Sequence, residues 1–130
     1  MTDRRPDCVY GILIREGRVF LRSMEGRFGL PGGIFRPLAE DRKVELRAHL
    51  WDQLAIEARA VWAQGAFDYR NPDEETEKFS GFYTVWEWEP DPAPGLGRWF
   101  DSGQVAASTL VPSLKILLQS VIATQAVKTT

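Results

Sequence analysis

The stretch FGLPGGIFRPLAEDRKVELRAHLWDQLAIEA, residues 28–58, decides the fold. Glycine and proline are dense around its start, which predicts an ordered loop over residues 24–40. No glycine or proline interrupts the part from about Glu40 to Ala55, and acidic residues lead it, which predicts a helix. The junction between loop and helix can present backbone amides to phosphate oxygens.

On a helical wheel this helix has two faces. The predicted core-facing side holds Val44, Leu46, Leu50, Trp51 and Leu54. The opposite side holds Asp41, Glu45, His49 and Asp52. One interpretation is a solvated polar face. The other is a metal site, because Glu45, His49 and Asp52 are spaced to converge on one ion, and mixed nitrogen and oxygen ligands favour Mn²⁺, Fe²⁺ or Zn²⁺ over Mg²⁺.

Strands and a second helix are predicted on both sides of this stretch. β-Branched and aromatic residues indicate strands at 8–14, 18–24, 57–70, 78–90 and 98–101. The last helix begins at Pro112, and its apolar stripe consists of Leu114, Leu117, Leu118, Val121 and Ile122. We therefore expect one α+β domain over residues 1–130, with a mixed sheet, helices packed on it, and frayed tails at 1–7 and 125–130.

Composition limits the classes of partner. The chain has 130 residues and a net charge of −2, so it suits one domain and does not favour nucleic acid as a partner. Cys8 is its single cysteine, which excludes an internal disulfide. Neither a signal peptide nor a membrane-spanning stretch is evident, so no membrane partner and a cytoplasmic location are expected.

The chain resembles the Nudix, or MutT-like, hydrolase family. The segment 28–58 is similar to the Nudix box and its flanks, including the LPGG that precedes it. FSGFYTVWEWEP at 79–90, RWFD at 98–101 and VPSLKILLQSVI at 111–122 are similar to the family's later strand, its WF-acid element and its last helix. The resemblance implies the family's α/β/α sandwich over about residues 8–123.

The box itself departs from the family pattern, and two alignment registers are open. Without a gap, Arg47 matches the box arginine, but His49 and Trp51 fall on unsuitable positions. With one extra loop residue, Glu40 matches the early glutamate and Asp52 the first glutamate of the pair. We prefer this gapped register because a loop absorbs an extra residue at little cost.

In the gapped register the substitutions fall on the catalytic positions. Ala48 replaces the arginine, His49 the first catalytic glutamate, Gln53 the last glutamate and Ala55 the glycine. In the family, glutamates hold Mg²⁺ or Mn²⁺ ions that activate a water against a diphosphate. Two formal charges of that trio are missing here, so Mg²⁺ affinity should fall steeply.

The resemblance implies three sets of site residues. The catalytic set is Asp52, His49 and Glu40. The metal set is Asp52, Glu45, His49 and Glu40, for Mg²⁺ or Mn²⁺ by family likeness, for Mn²⁺ or Zn²⁺ if His49 is a ligand, or for no metal at all. The substrate-binding set is Gly32, Gly33, Arg22 and Arg27. A further acid is expected from Asp73, Glu74, Glu75 or Glu77.

Three functions therefore stay open. The first is a hydrolase of nucleoside-diphosphate-linked substrates with a reorganised metal site. The second is a nucleotide- or diphosphate-binding module without turnover, and the third is an interaction domain with no nucleotide ligand. The expected partner is a nucleotide-type small molecule, and a homodimer is a candidate state because dimers are common in the resembled family.

Overall fold

The computed structural model describes residues 6–35 and 41–128. Glu40, one of the predicted catalytic and metal residues, lies outside them, as do the ends of the two predicted tails. The chain forms four strands, a helix, three more strands and two helices, an order that suits the α+β prediction. The elements are β1 Cys8–Arg15, β2 Arg18–Met24, β3 Arg27–Gly29, β4 Gly32–Ile34, α1 Arg42–Leu54, β5 Glu57–Tyr69, β6 Lys78–Glu89, a 3₁₀ turn Pro94–Leu96, β7 Gly97–Phe100, α2 Ser102–Ala107 and α3 Pro112–Lys128.

The sheet is mixed, as the sequence predicts. Strand order is β3-β2-β1-β6-β5, with β4 added to β1 and β7 added to β2. β1 and β6 run parallel, from the Cys8–Ser80 pair to the Leu13–Val85 pair, and the other pairings are antiparallel. The segment 24–40 was predicted as loop alone, but β3 and β4 form within it because each adds to an existing strand edge.

Two apolar clusters lie on the two faces of the sheet, and β1 contributes to both. One cluster joins Tyr10 and Phe82 to α3 through Leu114 and Leu118. The other joins Leu13 and Val85 to the leucines of α1. The helices therefore cover opposite faces, giving an α/β/α sandwich. Within the described part of the chain no helix is long and apolar enough to cross a bilayer.

The predicted side-chain faces needed two corrections. Val44 and Trp51 were placed in the core, but they are 58% and 61% exposed, whereas Leu46, Leu50 and Leu54 are buried as expected. Strict alternation along β6 predicts that Trp88 shares a face with Phe82, but it packs in the other cluster, where its ring stacks on that of Trp99 with the centroids 5.8 Å apart.

The stripe of α3 and the position of Cys8 are confirmed. Four residues of the stripe are buried, and Leu117 packs against the same cluster in a partly buried position. Cys8 is buried in β1 as a free thiol.

Candidate functional site

The helix α1 turns a polar column toward the segment Gly29–Ile34, which we call the glycine loop. Asp41 caps the helix start through a bond from the Lys43 amide of 2.8 Å to its carboxylate. The helix ends at Ala55, whose left-handed backbone has a φ of 54°. Between these ends, Glu45 is buried and His49 and Gln53 are half-buried. This inward polar column is what displaces Val44 and Trp51 toward solvent.

Gln53 bonds to both polar groups of the Gly32 backbone. The Gly32 amide donates to Gln53 Oε1 at 2.9 Å, and Gln53 Nε2 donates to the Gly32 carbonyl at 2.8 Å. A side-chain amide can do this because its acceptor oxygen and its donor nitrogen are attached to the same carbon. Gln53 therefore ties the helix to the glycine loop.

His49 lies beside the same loop. Its Nε2 donates to the carbonyl of Ile34 at 2.9 Å, since a carbonyl oxygen can only accept. The same nitrogen is 3.9 Å from Oε1 of the buried Glu45. Two members of the predicted metal set, Glu45 and His49, are thus neighbours, while the third, Asp52, is an exposed residue of the same helix.

Asn71 holds the other end of the glycine loop. The Leu30 amide donates to Asn71 Oδ1 at 3.0 Å, and Asn71 Nδ2 donates to the Leu30 carbonyl at 2.9 Å. The Tyr69 hydroxyl donates to the same Oδ1 at 2.7 Å. Because Asn71 is only 3% exposed, these bonds form in a nearly dry environment where breaking them is costly.

The loop glycines make room for these contacts. A Cβ on Gly33 would lie 3.1 Å from His49 Cε1, and one on Gly29 would lie 2.5 Å from Asn71 Oδ1. Gly32 has a φ of 140° and would direct a Cβ into the Val9 carbonyl oxygen. Packing against β1 and the two partner side chains thus accounts for these glycines.

A cavity of about 410 Å³ opens beside the loop. The predicted substrate residues Arg22, Gly32 and Gly33 line it together with Gln53 and Lys78. Arg27, also predicted to bind substrate, lines a different cavity of about 510 Å³ with Phe28, Leu110 and Val111. Asn71 lines both cavities, so the two adjoin at this residue.

The acidic connection between β5 and β6 closes one side of the first cavity. Three of the four residues considered for a further acid line it, namely Asp73, Glu74 and Glu75, whereas Glu77 lines the other cavity. Glu74 Oε1 accepts a bond of 2.6 Å from the Tyr10 hydroxyl, so this carboxylate anchors the connection to β1. Burial raises the pKa of Tyr10, and the bond to the Glu74 carboxylate raises it further, so the phenol stays a donor.

The donors do not fit an ordinary Mg²⁺ site. Among residues 6–35 and 41–128, no three histidine, cysteine, aspartate or glutamate side chains come together to hold an ion. Gln53 is neutral, and both polar atoms of its amide bond to Gly32. Mg²⁺ prefers several anionic or neutral oxygens in near-octahedral geometry, which this set does not offer.

The sequence missed the structural roles of Gln53, Asn71 and Tyr10. Gln53 was noted as a lost carboxylate, and only the fold shows what its amide does instead. Asn71 lies two residues after the end of β5, and a polar amide near a strand end is a weak signal. The 41 residues that separate it from Leu30 hide the pairing from local reasoning.

Solved structures of several Nudix proteins share this fold. A MutT Nudix hydrolase from Burkholderia pseudomallei has a TM-score of 0.67 at 20% identity, over 86% of this chain and 94% of the other. A MutT protein from Bacillus halodurans has a TM-score of 0.71 at 16% identity, over 91% and 82%. The Nudix domain of Shewanella oneidensis NrtR, solved with ADP ribose, has a TM-score of 0.61 at 19% identity, over 87% and 84%.

These likenesses establish a Nudix-like fold for the chain and confirm the resemblance read from the sequence. At such identities they carry the fold and not the activity. No family model matches the sequence, and no curated protein matches it either.

Proposed function

We propose that this chain binds a nucleotide-type ligand in the cavity beside the glycine loop, with weak or absent metal-dependent turnover. The observation that carries the proposal is the commitment of His49 and Gln53 to the loop backbone. In the gapped register these two side chains occupy the positions of catalytic glutamates. The left-handed backbone at Ala55, where that register places a glycine, supports the register.

The charges around the cavity support a diphosphate-linked ligand. Arg22 and Lys78 are half-buried cations that line it, and phosphate oxygens bind well to such groups. Three carboxylates line the same cavity, Asp73, Glu74 and Glu75, so they outnumber the two cations. A diphosphate esterified at both ends carries less negative charge than a triphosphate, so it suits this balance better.

The adjoining cavity gives such a ligand a place for its remaining half. Phe28, Leu110 and Val111 offer apolar surface there, and Arg27 and Thr109 offer polar groups. The ADP ribose bound by the NrtR Nudix domain is a nucleotide of this chemical type, and it supports the choice of ligand class here.

A second candidate function keeps turnover. The 3.9 Å approach of His49 to Glu45 favours it, since these two with Asp52 and Glu40 form the predicted metal set. Mn²⁺ or Zn²⁺ would suit the mixed donors better than Mg²⁺. Because the described residues do not bring the whole set together, we derive no catalytic step from it.

A thermal-shift assay with ADP ribose tests the binding proposal. A ligand that binds only the folded state raises the melting temperature, and the increase grows with the ratio of ligand concentration to dissociation constant. Arg22→Ala should weaken binding about tenfold, roughly the loss of one charge-assisted bond. Arg18→Ala is the matched control, because Arg18 is an exposed residue of the same strand outside the cavity lining. Equal shifts in both variants would refute the role given to Arg22.

A hydrolysis panel separates the two candidates. Cleavage is followed by chromatography of the nucleotide products, with Mg²⁺, Mn²⁺ and Zn²⁺, on dinucleotides, nucleotide sugars and nucleoside triphosphates. Turnover that disappears in both Asp52→Ala and His49→Ala supports the reorganised hydrolase. Stabilisation by a nucleotide without turnover supports the binding module. The absence of both turnover and stabilisation supports an interaction domain.

The oligomeric state and location complete the proposal. We keep a homodimer as the proposed state, since Trp62 is 59% exposed on β5, the terminal strand of the sheet path. Light scattering coupled to gel filtration measures it directly. The proposed cytoplasmic location agrees with the free, buried thiol of Cys8.

A further inference from the structure

Alternate residues of the glycine loop are held by side chains from elsewhere in the fold. Asn71 holds both backbone groups of Leu30, and Gln53 holds both backbone groups of Gly32. His49 holds the carbonyl of Ile34. We call these three side chains the latch. Between them, the Pro31 carbonyl accepts the Gly11 amide at 2.9 Å, so β1 secures the loop as well.

The latch depends on donors that carboxylates lack at neutral pH. The Gly32 and Ile34 carbonyls accept from Gln53 Nε2 and from a His49 ring nitrogen. An ionised glutamate at either place could only accept, so it would face a carbonyl oxygen without a proton between them. Two such oxygens at hydrogen-bond distance repel unless a cation lies between them. The N–H donors of Gln53 and His49 make such a cation unnecessary.

The loop is fitted to the latch in return. Gly29 leaves space for the amide of Asn71, and Gly33 leaves space for the ring of His49. A larger residue at either position would displace a latch side chain. The glycines and the latch therefore form one packing arrangement, whose parts depend on each other.

We infer that Asn71, Gln53 and His49 are positioning residues that set the shape of the glycine loop without a divalent cation. The cavity beside the loop then binds its ligand equally well with and without metal. This consequence for the ligand rests on the proposed function, whereas the state of the loop itself can be measured in the free protein.

Amide hydrogen exchange of Gly32 tests the latch without any ligand. In the wild type this amide should exchange slowly and at the same rate in EDTA and in Mg²⁺. Gln53→Met keeps the side-chain length and removes both bonds, so Gly32 should exchange at least about tenfold faster while the central amides of β5 and β6 stay protected. Gln119→Met, the same substitution on α3, is the matched control.

Two results would overturn the inference at this stage. One is an unchanged Gly32 exchange rate in Gln53→Met. The other is loss of Gly32 protection in the wild type when EDTA removes divalent cations. A uniform rise in the exchange rate at all amides of Gln53→Met would indicate global destabilisation. The variant Gln53→Glu then tests the inference, because its Gly32 amide should exchange faster in EDTA than in Mn²⁺.

Calorimetric titration with ADP ribose tests the consequence for binding. The dissociation constant of the wild type should agree within about threefold between EDTA and Mg²⁺, and Gln53→Met should weaken it about fivefold or more. Binding in Mg²⁺ alone would refute metal independence and leave the proposed function intact. Binding in neither condition would refute the proposed function, and the Gly32 exchange rates would still decide on the latch.

Discussion

At the scale of single residues, the end of α1 carries a local strain. Ala55 has a φ of 54°, a conformation that costs an alanine about 1 kcal/mol relative to glycine. Its backbone amide donates to the Trp51 carbonyl at 3.0 Å, so the cap geometry is complete despite that cost. The chain therefore closes this helix correctly with a residue that is not the best one for the position.

Ala55→Gly should raise the free energy of unfolding by about 0.5–1 kcal/mol, because glycine adopts the left-handed region freely. The same substitution at Ala48, an exposed position within α1, should lower it by about 0.5–1 kcal/mol. Urea denaturation of the two variants beside the wild type measures both effects. Changes of the same sign would contradict the assigned backbone conformation.

The residues of the candidate site were only partly predictable. Four of them could be named from their positions in the sequence. His49 and Gln53 share the predicted helix, Gly32 lies in the glycine loop, and Arg22 precedes that loop. Which atoms they contact was not predictable, since it depends on β4 adding to β1. Asn71 escaped notice because its partner Leu30 is distant in sequence.

At the scale of elements, α1 shows why a helical wheel alone misplaced two apolar residues. A wheel assumes that apolar residues point inward and polar ones outward. Here α1 packs against the glycine loop as well as the sheet, and a loop with free backbone groups attracts polar side chains. His49 and Gln53 bond to it, and Glu45 is buried beside His49, so this face of the helix turns inward and Val44 and Trp51 are left exposed.

Trp51→Lys and Val44→Lys should each change the free energy of unfolding by less than about 0.5 kcal/mol, as is usual for exposed positions. Leu50→Ala should lower it by about 2–5 kcal/mol, because Leu50 lies on the buried face of α1 and is fully buried. Chemical denaturation followed by circular dichroism gives all three values. If Trp51→Lys lowers the free energy of unfolding by more than about 2 kcal/mol, Trp51 lies in the core, as the helical wheel predicts.

At the scale of the whole molecule, the mixed character of the sheet and five of its seven strands followed from the sequence pattern. The parallel pairing of β1 with β6 did not, because nothing local distinguishes a partner 72 positions away from a nearer one. That pairing makes β1 central and fills both faces with large side chains. All three tyrosines of the chain, Tyr10, Tyr69 and Tyr83, are buried as a result.

Burial is the main cause of a raised pKa at each of these tyrosines. Because the pKa is raised in the folded state, the contribution of the buried tyrosines to the free energy of unfolding is complete below pH 10, where the unfolded phenols are also protonated. It declines as pH rises above 10, because only the unfolded state then loses protons. The free energy of unfolding should therefore fall as the pH rises above 10.

Absorbance at 295 nm checks the ionisation directly. At pH 10 the native protein should show little phenolate, while the urea-unfolded chain should show about half of its tyrosines ionised. Tyr10→Phe should reduce the alkaline loss of stability. Native phenolate absorbance equal to that of the unfolded chain would refute the burial of these groups.

The burial of Cys8 has a practical consequence for following the folding reaction. This sole cysteine lies on the central strand, is fully buried, and has a pKa raised chiefly by burial. Thiol reagents attack the thiolate, so they should modify the chain only when β1 leaves the sheet. With excess reagent, the labelling rate then equals the frequency of that opening and should rise with urea in step with the unfolding rate. A single native thiol thus serves as an intrinsic reporter of how often the centre of the molecule comes apart.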